Sequence, residues 1–209
     1  MFRTWLAALA MSMMLVPFSV GAQMAFVAGT DYEMISSPVD TGQPDKVVVT
    51  EVFWYGCPHC FRFEPYVERW SANLPDGVVF ELLPSSLNPR WTEHARAYYA
   101  FQLMGVLDQV HRNFFDAIHL DRKKLTNLDS IAGFVADQGL DEKAFREHYF
   151  SFPVETQLRK DMQKEKRYGH NGVPAVIVNG KYLVSASLAG SNERMIEIID
   201  YLVARELGQ

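Results

Sequence analysis

From Val47 to Tyr55 the chain is β-branched and aromatic with little polar alternation, and it then runs into Gly56-Cys57-Pro58-His59-Cys60. An apolar run of this kind is what a strand covered on both faces requires. From Pro58 to about Asn73 the pattern turns helical, with Phe61, Phe63, Val67 and Trp70 as apolar bulk and Pro65 as an expected kink. Leu74-Pro75-Asp76-Gly77 is a turn, and Val78 to Leu83 reads as a second buried strand. Strand, helix and parallel strand make a βαβ unit, with both cysteines at the strand-to-helix junction.

The period then changes. From about Arg90 to Gly169 apolar residues recur at helical spacing, and turn and cap signals separate the runs. Ala95, Tyr98, Tyr99 and Leu103 mark one helix, and Val110, Phe114, Phe115 and Ile118 a second. Asn127 can cap a third that stops at Gly139, and Asp141 a fourth. A longer helix begins around Pro153 and Val154 and closes at Gly169. Strands return at Ala175–Asn179 and Tyr182–Val184, joined by Asn179-Gly180, a strong hairpin signal. Ser191 caps a last helix whose inner face is Met195, Ile198, Ile199 and Leu202. A further short strand is expected over Phe26–Tyr32. The sequence thus predicts an α/β domain over 23–87 and 170–209, interrupted by an all-helical domain over 88–169.

Residues 1–22 are expected to be a cleaved signal peptide. Met1-Phe2-Arg3 is a basic start, Trp5 to Val16 is apolar, Pro17 breaks the run, and Val20-Gly21-Ala22 presents small residues for cleavage. The apolar run is too short for a bilayer that needs about 20 residues. Export implies an oxidising compartment, where cysteines commonly serve as staples, but a staple framework needs several of them. Cys57 and Cys60 are the only two cysteines, in a chain long enough to bury a core without crosslinks. The net charge of −5, more negative once Arg3 is lost, leaves no large basic footprint, so nucleic-acid binding is set aside.

Two cysteines three positions apart at a helix start suit thiol–disulfide exchange. Cys57 would sit where unpaired backbone N–H groups and the positive end of the helix dipole favour an anion. Pro58 fits the first turn because its missing N–H costs nothing there, and His59 can bring a hydrogen bond or a positive charge to the Cys57 sulfur. Stabilising the thiolate stabilises the reduced pair, which makes the disulfide a stronger oxidant. Cys60, one turn on, would face inward as the resolving thiol. A structural zinc site would need four ligands and finds no second cysteine pair, and haem attachment would need His where Phe61 stands. An inert disulfide would close too small a loop to restrict the unfolded chain much.

Two other places carry weight. Glu51 interrupts the apolar strand six positions before Cys57. Buried there, it would be driven towards its neutral form and could exchange a proton with Cys60; at a strand end it would simply reach solvent. Glu64, one turn after Cys60, is expected to tune local charge or to lie exposed. Gly172-Val173-Pro174 precedes a strand, and the sequence leaves the isomer of the Val173–Pro174 bond open.

Taken together, Cys57-Pro58-His59-Cys60 after an aromatic-rich strand, Glu51, Gly172-Val173-Pro174, and Val178-Asn179-Gly180-Lys181-Tyr182 resemble the DsbA family of periplasmic thiol:disulfide oxidoreductases. The likeness runs over essentially the whole chain after residue 22. It implies a thioredoxin fold with an inserted helical domain, and a protein that donates its Cys57–Cys60 disulfide to newly exported chains through a mixed disulfide at Cys57. It also implies that Pro58 and His59 tune the potential, that Glu51 is a buried acid, and that Val173 and Pro174 line the disulfide and pair with an extended substrate peptide. A quinone-linked inner-membrane partner of the DsbB type is implied, as is a monomer, with no metal and no organic cofactor. Gly56, directly before the motif, is a departure that bears on the loop and its access. The competing readings are a disulfide isomerase or reductase, and a holdase-type chaperone with an incidental disulfide. Isomerases of this fold resemble dimers with an added N-terminal module, for which the stretch between Ala22 and Cys57 is too short.

Overall fold

The computed structural model describes residues 26–208, so the expected signal peptide over 1–22 lies outside the described residues. In chain order the elements are β1 (Glu33–Met34), β2 (Val47–Phe53), α1 (Pro58–Ser71), β3 (Val78–Pro84), α2 (Pro89–Leu103), α3 (Leu107–His119), α4 (Leu128–Asp137), α5 (Glu142–Tyr149), α6 (Phe152–Tyr168), β4 (Ala175–Val178), β5 (Tyr182–Ser185), α7 (Ala186–Ala189) and α8 (Asn192–Leu207). The strands form one sheet in the order β1-β5-β4-β2-β3. β2 and β3 are parallel, and the other neighbours are antiparallel. Helices α2 to α6 fall between β3 and β4 in the chain, which gives the α/β arrangement with a helical insertion that the residue pattern predicts.

Every residue of β2 is buried, because helices cover both of its faces. Val47 and Val49 pack with Phe63 and Val67 of α1 and with Met195, Ile198 and Leu202 of α8. Val52 turns the other way, onto Leu83, Tyr168 and Ile177. Side chains alternate along a strand, so Glu51 shares the α1 face with Val49. The third and largest apolar cluster belongs to the insertion, and it reaches back to Phe53, Tyr55, Cys57 and Cys60 at the end of β2. The cysteine loop is therefore packed partly by the inserted helices.

Caps set most helix starts. Asn88, Asn127, Asp141 and Ser191 each accept a backbone N–H of the first turn, and Asn127 forms a reciprocal box with Ser130. Pro65 lies within α1, which runs on through it to Ser71. The segment Phe26–Tyr32 differs from expectation. It turns back on itself: Gly29 has φ 82°, and the Val27 N–H donates to the Asp31 carboxylate at 2.7 Å. Only an isolated bridge joins Ala28 to Tyr32, and the strand proper is the two-residue β1. The short helix α7, between β5 and α8, carries too few residues for a periodic signal.

The β4–β5 hairpin turns through Asn179 and Gly180, at φ 49° and 64°. These left-handed values are what a two-residue hairpin of the right twist demands. Gly180 also lies against Val39, whose N–H donates to the Gly180 carbonyl, and a Cβ at Gly180 would stand 1.9 Å from the Val39 carbonyl oxygen. Gly180→Ala is expected to lower stability by about 2–4 kcal/mol, since backbone strain and a backbone clash act together. Urea unfolding followed by far-UV circular dichroism checks it, and an unchanged midpoint would contradict this account of the turn.

Candidate active site

Cys57 is the N-cap residue of α1, with extended backbone (φ −88°, ψ 116°), and Pro58 occupies the first turn. The Cys60 N–H donates to the Cys57 sulfur at 3.4 Å. The Cys57 thiol is lowered to about 6. A hydrogen bond from the Cys60 thiol contributes most; burial opposes it, and the Cys60 and His59 amides and then the His59 charge add to it. The weight therefore lies with the Cys60 thiol and the helix amides, and the His59 charge comes last. His59 is exposed, and its Nδ1 lies 3.0 Å from the Arg62 guanidinium. Arginine can only donate, so when the ring is neutral Nδ1 is the acceptor and the proton sits on Nε2.

Cys60 is wholly buried, and its thiol is pushed well up by burial, by its hydrogen bond to Cys57 and by the Cys57 charge. The two sulfurs, both free thiols in the structure, are thus driven in opposite directions. Glu51 is also fully buried, and neither carboxyl oxygen has a hydrogen-bond partner. Burial, the nearby Glu64 and Cys57 raise its carboxyl well above the usual range. An ionised carboxylate without partners would cost several kcal/mol here, so Glu51 is a neutral acid. The alternative of a strand-end Glu reaching solvent is removed by its position two residues before the end of a fully buried strand.

Glu64 is buried rather than exposed. Its Oε1 lies 3.2 Å from His111 Nε2, and His111 Nδ1 lies 2.7 Å from the Tyr55 hydroxyl. Tyr55 is fully buried and its phenol is pushed well up, chiefly by burial, so it donates to Nδ1 and leaves the His111 proton on Nε2, facing Glu64. His119 Nε2 lies 2.8 Å from the Tyr55 carbonyl, to which it donates. Helix α3 of the insertion therefore grips the segment that leads into Cys57 by both the side chain and the backbone of Tyr55. Sequence reasoning missed His111 and His119. The available signal was their place on one stripe of α3, with Phe115 between them at i+4 spacing. Gly56 is required by close approach: a Cβ there would stand 2.3 Å from the Trp54 ring. Trp54 itself stacks on Trp91 at the start of α2.

The loop before β4 closes the site from the other side. Val173–Pro174 is a cis peptide, and the Cys57 sulfur lies 3.4 Å from the Val173 carbonyl oxygen, to which it can donate only as the neutral thiol. Beside this contact runs a groove of roughly 460 Å³ lined by His59, Val173, Pro174, Ser185, Ser191 and Asn192. Cys57, Cys60, Glu51, His59 and Val173 are thus gathered at one end of the sheet, although Val173 is far away in the chain. Among the described residues, no group of three or more His, Cys, Asp or Glu side chains could hold a metal ion.

A family model described as a DSBA-like thioredoxin domain matches residues 67–195. The thiol:disulfide interchange protein DsbA of Pseudomonas aeruginosa is 40% identical over 190 residues, covering 90% of this chain and 90% of that protein. An alignment spanning that much of the chain has to include Cys57 and Cys60, which the family model alone does not reach. The protein of the same name from Azotobacter vinelandii is 39% identical over 178 residues, covering 85% and 83%. The crystal structure of Pseudomonas aeruginosa DsbA superposes with a TM-score of 0.84 at 39% identity, covering 88% of this chain and 95% of that one.

The thiol asymmetry has a measurable signature. Thiolate absorbance in the reduced protein is expected to rise with a midpoint near pH 6 from Cys57, and Cys60 is expected to stay silent well past neutrality. A thiol whose folded pKa lies below the unfolded value of about 8.5 adds stability above that value and loses it as pH falls through the folded pKa. The stability advantage of the reduced protein over Cys57→Ser should therefore shrink as pH drops through about 6. A single thiolate midpoint in the ordinary thiol range would contradict it.

Proposed function

The chain belongs to the DsbA-like thioredoxin family, and from that premise we propose that it donates the Cys57–Cys60 disulfide to reduced proteins newly exported to the periplasm. The observation that carries this reading is the opposed ionisation of the two sulfurs: Cys57 lowered to about 6, Cys60 raised by burial. A Cys57 that is mostly thiolate at neutral pH stabilises the reduced protein and makes the disulfide a strong oxidant; DsbA is itself the standard example of that linkage.

The exchange proceeds in two steps. A substrate thiolate attacks the Cys57 sulfur and forms a mixed disulfide, while the Cys57–Cys60 bond breaks and its electron pair leaves on Cys60. Buried Cys60 is unfavourable as an anion, and Glu51, held as a neutral acid nearby, gives it a proton. The second substrate thiolate then attacks the substrate sulfur of the mixed disulfide and releases Cys57, whose anion the start of α1 stabilises. The substrate loses two electrons and the protein gains them as a dithiol. The carboxylate left on Glu51 recovers a proton through Glu64 and His111, which border a groove between α1, β3 and α3.

Val173 and Pro174 present the Val173 carbonyl beside Cys57, and an extended peptide pairs with this edge in the adjoining groove. Pro58 and His59 are exposed at the mouth, where they meet the substrate and the partner that reoxidises the pair. We assign that partner to the quinone-linked inner-membrane oxidases of the DsbB type, and the protein acts as a monomer.

Oxidative refolding of a reduced, unfolded protein tests the reading. Cys57→Ser should lose the activity down to background, and so should Cys60→Ser, which has no disulfide to give; its Cys57 thiolate should instead attack a substrate that already carries a disulfide and hold it as a mixed disulfide seen on a non-reducing gel. Cys57→Ser oxidising at the wild-type rate would overturn the assignment. Glu51→Gln should slow formation of the mixed disulfide by about tenfold to 100-fold at neutral pH, the low end of what a positioned acid supplies. Unchanged formation kinetics would remove Glu51 from the proton route.

A further inference from the structure

His170 and Glu165 take no part in the exchange described above, yet both are buried in the seam where the insertion returns to the sheet, with side chains each 1% exposed. The Glu165 carboxylate, in the last turn of α6, accepts from the Ser85 hydroxyl at 2.5 Å, from the Ser86 N–H at 2.9 Å and from the Ser86 hydroxyl at 3.1 Å. Ser85 is in turn tied to the end of β2, because its N–H donates to the Phe53 carbonyl at 2.7 Å. Burial pushes the Glu165 carboxyl up, but hydrogen bonds from His170, Ser85 and the Ser86 amide outweigh it and hold the group below the usual carboxylate range. Glu165 is therefore a buried anion with a fixed anchor.

His170 bridges that anchor to the peptide-binding loop. Its Nδ1 lies 3.1 Å from the Gly172 carbonyl, which can only accept, so Nδ1 carries a proton. Its Nε2 lies 3.3 Å from Glu165 Oε2. A bare Nε2 lone pair facing a buried carboxylate is repulsive, whereas a proton there makes the contact an ion pair, though not a hydrogen bond of good geometry. Among the described residues this is the only ion pair that either partner makes. Asp161, earlier on α6, is acted on by both Glu165, which raises its carboxyl, and Lys164, which lowers it. The path runs from the ends of β2 and β3 through Glu165 and His170 to the Gly172 carbonyl, one residue before the Val173 carbonyl that meets Cys57.

We propose that His170, protonated and held by Glu165, is a positioning residue that fixes the Gly172–Pro174 loop where it captures an extended peptide. The proposal rests on the reading of Val173 and Pro174 as the peptide edge. Loss of the Nε2 proton leaves the ring facing an anion without a bond, and the loop is released from its anchor. Peptide capture then weakens, while exchange with small thiols, which need no peptide edge, continues.

The test is a single-turnover reaction of the oxidised full chain with a dithiol peptide at varied concentration, across the pH range in which the His170 ring titrates by NMR. Dithiothreitol serves as the small-thiol control. In the wild type, the half-saturating peptide concentration should rise about tenfold as His170 loses its proton, the effect of one charge-assisted contact. His170→Asn keeps a donor for the Gly172 carbonyl but cannot reach Glu165, and should show the high value at every pH with an unchanged saturating rate. Glu165→Gln keeps the serine contacts, removes the anion, and should reproduce that defect, which decides the matter should His170→Asn not fold. Half-saturation unaltered in either folded variant, or a ratio to wild type that does not change with pH, overturns the clip. A wild type inert towards the peptide but reactive with dithiothreitol overturns the disulfide-donor reading, and the clip with it.

Discussion

An anion at Cys57 is the constraint on which the rest of the site depends. The chain offers it the first-turn amides of α1 and the Cys60 thiol, and denies the same treatment to Cys60 by burying it. A disulfide between two such sulfurs breaks with a clear polarity: one product anion is stabilised and the other needs a proton. In the exchange proposed above Glu51 answers that need, because the strand carrying it is covered on both faces and the acid cannot ionise cheaply. Sheet, helix start and buried acid are one device, set by the parallel pairing of β2 with β3 and the crossover of α1 between them.

The inserted helices do more than enlarge the molecule. Helix α3 holds Tyr55 through His111 and His119, and its Phe114 and Phe115 pack on the same ring. Glu64, which raises Glu51, is tied to His111 of that helix. The end of α6 holds the seam through Glu165. Two separate struts therefore run from the insertion to the two loops that face each other across the Cys57 sulfur. An apolar cluster continuous from the insertion to Cys57 and Cys60 makes independent motion of these parts costly.

Much of this was legible in the residues. The apolar run into Cys57-Pro58-His59-Cys60 gave the βαβ unit and the place of the sulfurs, and Asn179-Gly180 gave the hairpin, because strand burial and turn chemistry are local constraints. The caps Asn127, Asp141 and Ser191 marked helix starts for the same reason. What was not legible depends on contacts across the fold. Phe26–Tyr32 has strand composition, but Gly29 and Asp31 fold it on itself. Glu64 looks like a surface residue until α3 covers it. The amides at the start of α1 and the His59 side chain were both expected to act on Cys57, and only the geometry shows the Cys60 thiol ahead of them. His170 and Glu165 carry no motif, since their meaning lies in which carbonyl and which serines they meet.

The central claim is that stabilising the Cys57 anion makes this disulfide one that is given away. Equilibration of the full chain with glutathione redox buffers at neutral pH, reading the fraction of oxidised Cys57–Cys60, tests it most directly. The account predicts a potential well above the roughly −270 mV of a reducing thioredoxin. A value at or below that figure would contradict it.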